Sequence, residues 1–266
     1  MQPRRITGAD VAPGRGFSNG WPASLFVLLA SVLTIFGTVS IPTVQAADWE
    51  SLRRQMVAAI RGDVIATRAY IGRKALRPEV LAAMERVPRH AFVPQEIRAA
   101  AYENRPLPIG HGQTISQPYI VALMTDLLEI EPGDAVLEVG TGSGYQAAVL
   151  AAIGASVRTV EIIPALAREA QTRFKRLGYD RIQARQGDGY YGWPDAAPFD
   201  GIVVTAAADH VPPPLVRQLK NGGRLVIPVG HRFGVQYLLL ITKSLEGKVQ
   251  TRQILPVRFV PLTGEH

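Results

Sequence analysis

The 266-residue chain contains no cysteine, only five histidines and few aromatic residues. The lack of cysteine excludes disulfide bonds, cysteine-ligated metal sites and a cysteine nucleophile. The histidines show no spacing typical of metal ligands, so we expect no metal. The formal net charge of +7 can indicate nucleic acid or an anionic membrane as a partner. Because the basic residues are spread along the chain with no run of five, we expect no nucleic-acid partner.

Charge is also absent from one stretch near the N-terminus, ASLFVLLASVLTIFGTVSI at residues 23–41. Arg4, Arg5 and Arg15 precede it, and small residues follow it with a candidate cleavage site after Ala46. This three-part pattern is typical of an export signal. The stretch is also just long enough to span a bilayer as an anchor, and a buried core helix is a third interpretation.

The composition changes at Asp48 to that of an ordinary globular domain. We therefore expect a signal-like or membrane-anchor segment at residues 1–47 and one domain at residues 48–266. Any membrane contact is expected only through residues 21–46, if these residues are retained.

Short apolar runs alternate with helical patterns after Gly133. Strands are predicted at 135–140, 156–162, 181–188, 199–207 and 223–230, and helices at 145–153, 164–177 and 212–219. Further helices are predicted upstream at 49–61, 77–87 and 117–130. Strands that alternate with helices predict an α/β fold with a Rossmann-like, doubly wound and mostly parallel sheet.

The end of the chain breaks this alternation. The connection at residues 231–234 is too short for a parallel crossover, which needs about a dozen residues. Residues 235–244 and 251–262 are therefore predicted to be antiparallel C-terminal edge strands.

The segment EVGTGSGYQ at residues 138–146 joins the first predicted strand of this sheet to a helix. Its glycines, Gly140, Gly142 and Gly144, let the backbone turn tightly and approach a ligand at a helix N-terminus. A dinucleotide-binding turn would carry a third glycine or an alanine where this chain has Tyr145. The spacing therefore favours a different nucleotide ligand.

Three acidic residues are predicted at the ends of three successive strands. Glu138 would repel a pyrophosphate but suits a cationic amino-acid group. Glu161 follows about 20 residues downstream of the glycine turn, where an acid accepts hydrogen bonds from ribose hydroxyls. Asp188 is placed to accept a hydrogen bond from the exocyclic amine of adenine. Each acid alone is equally explained as a solvated charge, but together they fit S-adenosylmethionine (SAM).

The glycine segment with the downstream VEI resembles the cofactor motif of methyltransferases. Together with LPIGHGQTISQP, QGDGYYGW, APFDGIVVTAA, GGRLVIPVG and VRFVPL, it resembles the protein-L-isoaspartate O-methyltransferase family over about residues 55–262. The resemblance implies a SAM-dependent carboxyl methyltransferase that acts on L-isoaspartyl residues of damaged proteins and peptides and starts their repair through a succinimide. The alternatives are a SAM-dependent methyltransferase for a small molecule or RNA, and a non-catalytic SAM-binding envelope module.

The polar segment at residues 107–118 matches the loop that covers the methyl-donor site in the family, and the resemblance makes Ser116 its active-site residue. A carboxylate acceptor with a pKa of about 4 is already ionised at neutral pH, and SAM carries an activated methyl group. Catalysis then needs positioning and no strong base, which argues against His111 as a base. Ser116 could alternatively cap the helix predicted at 117–130.

Two sets of site residues follow from the motifs and the resemblance. On the acceptor side we expect Ser116 as the catalytic residue and Gln113, Thr114, Ile115 and His111 as loop contacts. The expected cofactor residues are Glu138, Gly140, Thr141, Gly142, Ser143, Gly144, Glu161, Asp188, Gly189 and Thr205.

The resemblance also implies a cytoplasmic enzyme, because SAM is made in the cytosol, and we expect a monomer. The alternative is a periplasmic location, with export directed by residues 1–46.

Overall fold

The computed structural model describes residues 48–231 and 234–265. The segment predicted at residues 1–47 to be a signal or an anchor lies outside this description. Across the two described ranges, no helix combines the length and the apolar character needed to cross a membrane.

The described residues form helices and strands in an alternating order. The helices are α1 (Trp49–Ile71), α2 (Pro78–Arg86), α3 (Pro118–Leu128), α4 (Tyr145–Ile153), α5 (Pro164–Leu177) and α6 (Pro213–Gln218). The strands are β1 (Leu107–Gly110), β2 (Gln113–Ile115), β3 (Ala135–Val139), β4 (Ser156–Glu161), β5 (Ile182–Gln186), β6 (Phe199–Val204), β7 (Leu219–Val229), β8 (Gln236–Lys243) and β9 (Val249–Val257). Short 3-10 turns lie at Arg89–Phe92, Gln95–Ala100, Gly189–Tyr191 and Pro194–Ala196.

The central sheet has the strand order β5-β4-β3-β6-β7-β8-β9. The pairs from β5 through β7 are parallel, whereas β7–β8 and β8–β9 are antiparallel. The predicted doubly wound, mostly parallel sheet with antiparallel C-terminal edge strands is therefore confirmed.

Side chains of the sheet alternate between two hydrophobic layers, as the pleat of a strand requires. Val136 packs in the larger cluster with buried residues of α1 to α5, and the adjacent Leu137 packs in the smaller cluster with Leu215 of α6. Helices thus cover both faces of the sheet, and the carboxyl ends of its five parallel strands all lie at the same edge.

Two element boundaries differ most from the sequence prediction. Helix α1 continues past residue 61 because its apolar stripe continues through Val64 and Ile71, and it ends at Gly72 in a left-handed conformation with φ of 70°. Strand β9 ends at Val257 and does not reach residue 262.

The polar segment at residues 107–118 differs too. Its residues form β1 and β2, an antiparallel hairpin separate from the central sheet. Gly110, at the end of β1, and His111 and Gly112, in the turn, all have positive φ. Glycine adopts this conformation readily, so the two glycines favour the tight turn of the hairpin. Pro108 lies within β1, opposite Thr114, so the prolines and glycines of this segment are compatible with a short hairpin.

Candidate functional site

The glycine loop after β3 is held close to its neighbours. Gly140, Gly142 and Gly144 have φ of 94°, 51° and 87°. A Cβ on Gly140 would lie 2.5 Å from the hydroxyl oxygen of Thr205, and one on Gly144 would lie 2.6 Å from the ring of Phe174. Both contacts are too short for any side chain, so the loop requires glycine there. Gly144 is also the N-cap of α4.

Thr205 fixes the other side of this loop. It follows β6, and its hydroxyl donates to the carbonyl oxygen of Gly140 at 2.6 Å, with the carbonyl oxygen of Val139 at 3.0 Å. Its backbone N–H donates to Val139 as well, at 2.9 Å. The ends of β3 and β6 are thus locked together below the loop.

Glu161 ends β4 and is 5% exposed. Its Oε2 accepts from the backbone N–H of Gly142 at 2.7 Å, and its Oε1 accepts from the N–H of Ile163 at 2.9 Å. Each oxygen retains a further lone pair. The carboxylate can therefore order the glycine loop and still accept hydrogen bonds from a ligand.

Glu138 lies under the same loop and is fully buried. Thr159 donates its hydroxyl to Oε2 at 2.5 Å, and the Thr141 hydroxyl lies 2.6 Å from that of Thr159. Oε1 has no hydrogen-bond partner in the described protein. Burial raises the pKa of Glu138 to about 8, and the nearby charge of Glu161 adds to the rise. A buried acid with a vacant oxygen suits a donor that carries positive charge.

Asp188 and Gly189 follow β5 and have separate tasks. The carboxylate of Asp188 accepts from the backbone N–H of Tyr190 at 2.9 Å and of Glu265 at 3.3 Å. Gly189 lines the cleft described below, and a Cβ there would lie 2.3 Å from Cγ1 of Val139. Asp188 therefore shapes the turn, while the lack of a side chain at Gly189 lets the turn pack closely against Val139 of β3.

These elements enclose a cleft at the carboxyl edge of the sheet that is partly open to solvent. The predicted site residues in its wall are Gln113, Thr114, Gly140, Gly142, Glu161, Gly189 and Thr205. Hairpin and glycine loop, which are remote in sequence, thus share one cavity.

Two further cavities adjoin this cleft. A small inner cavity is lined by Ile115, Ser116, Glu138 and residues 140–143, among others. An outer groove is lined by Ser116, Gln117 and residues 256–260, among others. Thr114 and Thr205 line all three spaces. Ser116 therefore lies between the glycine loop and an open groove.

The loop residues differ in their placement. Gln113 and Thr114 face the cleft, Ile115 is buried, and His111 is exposed at the hairpin turn and lines none of the three spaces. Helix α3 begins at Pro118 with Gln117 as its N-cap and without a capping side chain. The interpretation of Ser116 as the helix cap is therefore wrong.

One wall of the cleft was missed by the sequence analysis, which extended the last strand to residue 262. After Val257 the chain turns over the end of β6, where the N–H of Ala207 donates to the Val260 carbonyl at 2.8 Å and the N–H of Leu262 donates to the Ala207 carbonyl at 2.7 Å. Residues 260–263 then line the cleft. Pro261 was the available signal, since proline has no N–H to donate to a ladder of strand hydrogen bonds.

The sequence profile of the protein-L-isoaspartate(D-aspartate) O-methyltransferase family matches residues 68–266. A protein-L-isoaspartate O-methyltransferase of Cupriavidus necator is 64% identical over 214 residues, which are 80% of this chain and 83% of that protein. One of Syntrophobacter fumaroxidans is 62% identical over 225 residues, 84% of this chain and 91% of that protein.

Solved structures agree with these relatives. A protein-L-isoaspartate O-methyltransferase superposes with a TM-score of 0.70 and 28% identity, over 80% of this chain and 66% of that chain. A Plasmodium falciparum protein assigned to the same family, in complex with S-adenosyl-L-homocysteine, gives a TM-score of 0.63 and 25% identity over 80% of this chain and 97% of that chain. The chain described here belongs to the protein-L-isoaspartate O-methyltransferase family.

Proposed function

We propose that this protein transfers a methyl group from SAM to the free α-carboxylate of L-isoaspartyl residues in damaged proteins and peptides. The methyl ester then collapses to a succinimide, which reopens in part to normal aspartate. The observation that carries the proposal is the pair of adjoining cavities in which the glycine loop and Glu161 meet the hairpin and Ser116, the residue that follows it.

The cleft suits SAM in charge and shape. Glu161 would accept hydrogen bonds from the ribose hydroxyls, and the vacant, buried Oε1 of Glu138 would accept from the cationic amino group. The lack of a side chain at Gly140 and Gly189 lets Thr205 and Val139 pack directly against the backbone, which fixes the wall of the cleft. SAM supplies a methyl group already activated by its positively charged sulfur.

The acceptor site lies on the Ser116 side. Arg258 is exposed in the outer groove, and no ion pair among the described residues involves it. Its charge would attract an anionic acceptor into the groove. The Ser116 hydroxyl, which has no hydrogen-bond partner among the described residues, would then donate to the carboxylate and orient it.

The reaction needs no proton transfer. A carboxylate oxygen bonds to the methyl carbon as the carbon–sulfur bond breaks, and the bonding electron pair stays on sulfur. The chain's task is to hold the oxygen, carbon and sulfur in line and to keep water away. The exposed position of His111, outside the three cavities, is consistent with chemistry that uses no base.

The experiment is a methylation assay with radiolabelled SAM and two peptides that differ only in an L-isoaspartyl or an L-aspartyl residue. We expect base-labile label in the isoaspartyl peptide and none in its twin. Transfer to RNA or to a small molecule with neither peptide labelled would favour another methyltransferase. SAM binding without any transfer would favour a binding module.

We further propose that residues 48–266 act alone as a monomeric catalytic domain in the cytoplasm. The supply of SAM in the cytosol supports this location, whereas the export-like pattern of residues 1–46 supports the periplasm. Cell fractionation with an activity assay would distinguish the two, and sedimentation would give the oligomeric state.

A further inference from the structure

Arg89 lies behind the hairpin and is completely buried. Its Nε donates to the carbonyl oxygen of Ala101 and its Nη2 donates to the carbonyl oxygen of Ser116, both at 2.7 Å. Its Cζ lies 4.8 Å from the centre of the Tyr145 ring. Nη1 has no hydrogen-bond partner in the described protein, and no described carboxylate forms an ion pair with this guanidinium.

A buried cation of this kind is costly, because arginine is almost never fully buried without an opposite charge. Burial lowers the pKa of Arg89 to about 10, so the side chain remains charged at neutral pH. A neutral residue of similar length would fill the same space without this cost. The cost suggests that the guanidinium does something beyond packing.

The contacts of Arg89 show what it connects. Ser116 follows the hairpin and lies between the inner cavity and the outer groove. Tyr145 is the first residue of α4, directly after the glycine loop, and lines the inner cavity. One rigid, planar group therefore contacts the backbone of the acceptor side and the start of the cofactor side.

We propose that Arg89 is a positioning residue that sets the place of Ser116 relative to the glycine loop. This inference rests on the proposed methyl transfer. Arg89 acts through the Ser116 carbonyl and the Tyr145 ring and touches neither substrate nor cofactor. Its effect falls on the alignment of the acceptor for attack, and much less on the binding of SAM.

The geometry explains why arginine stands here. Two different nitrogens of the planar guanidinium donate to the two carbonyl oxygens, and its Cζ lies over the ring of Tyr145. The ammonium group of lysine is a compact point charge without this fork. Lysine at position 89 would keep the charge and lose the fixed spacing between the two carbonyls.

The test uses the full chain with Arg89→Lys and Arg89→Met. The matched control is Arg86→Met, because Arg86 also donates to a carbonyl, that of Ala152, but from an exposed position. Each variant is examined by thermal melting, calorimetry with SAM, and methylation of the isoaspartyl peptide per folded molecule. Backbone amide exchange across residues 113–117 gives a readout independent of activity.

For both Arg89 variants we expect kcat to fall roughly tenfold or more, with KM and the Kd of SAM changed less than about threefold. Amide exchange at residues 113–117 should be faster. Arg86→Met should match the wild type in all of these. Loss of activity in Arg89→Lys should not add to the loss caused by Ser116→Ala, because both act at one point.

Normal turnover per folded molecule in Arg89→Lys would overturn the inference, even if the variant melts earlier. Failure of both Arg89 variants to fold would overturn it as well, because the role of the residue would then be folding. A wild type that methylates no isoaspartyl peptide would instead defeat the proposed function. If the wild type proves inactive, amide exchange still tests the positioning role, and unchanged exchange in Arg89→Lys would contradict it.

Discussion

The carboxyl group of Glu138 should make the cofactor-free protein less stable as the pH rises from 6 to 8. Burial raises its pKa to about 8 in the folded protein, against about 4.3 in an unfolded chain. Between these values the folded state holds a proton that the unfolded state has released. The free energy of unfolding therefore falls with rising pH in this window and levels off above it.

The size of the effect follows from the two pKa values. Each pH unit well inside the window costs at most about 1.4 kcal/mol. Because the folded-state titration is half complete at pH 8, the total loss between pH 6 and pH 8 is about 2 kcal/mol. Glu138→Gln removes the ionisation and keeps an oxygen that can accept from Thr159.

The assay is urea unfolding of the wild type and Glu138→Gln at pH 6, 7 and 8 without SAM. Other titrating groups, such as His90, are the same in both proteins and cancel in the difference between their curves. The difference should change by about 2 kcal/mol in the stated direction. Parallel curves would refute the reasoning. Saturating SAM should flatten the wild-type curve, because its amino group favours the carboxylate.

The remaining predictions concern the cofactor, the acceptor and the N-terminus. Glu161→Ala should weaken SAM binding by ~1–3 kcal/mol, the value of hydrogen bonds to a charged group, and unchanged affinity by calorimetry in the folded variant would contradict its ribose role. Ser116→Ala should leave SAM affinity nearly intact and lower kcat/KM for the peptide by roughly tenfold to a hundredfold. Ser116→Thr should also be slower because the added methyl group crowds the site. Normal single-turnover rates in either variant would contradict the role of Ser116 at the acceptor. A protein that starts at Asp48 should stay soluble, bind SAM and methylate the peptide. If this protein is insoluble or inactive while the full-length protein is active, the first segment is part of the fold.

The sheet could be predicted from the sequence for a physical reason. Parallel strands covered on both faces are short, nearly continuous apolar runs, and these runs alternate with helical patterns after Gly133. The antiparallel edge could be predicted because the connection at residues 231–234 is too short for a crossover. Both inferences depend only on local composition and chain length.

The rest depended on contacts between remote residues. The β1–β2 hairpin has the glycine and proline content of an irregular loop, and only its pairing distinguishes it from one. Arg89 stands in a proline-bounded connector with no motif, 27 residues from Ser116 in the chain. No local pattern indicates that its guanidinium reaches that carbonyl or the ring of Tyr145, so its role required the structure.

The cleft wall at residues 260–263 is synthesised late, because it lies near the end of the chain, and this affects folding during translation. Strands β3 to β6 and the glycine loop leave the ribosome first, but the chain that closes the cleft over Ala207 is made after β9. A nascent chain that lacks this segment has an incomplete cofactor cleft. Ligand binding stabilises only a state that can bind, so SAM can assist folding only once nearly the whole domain has been made.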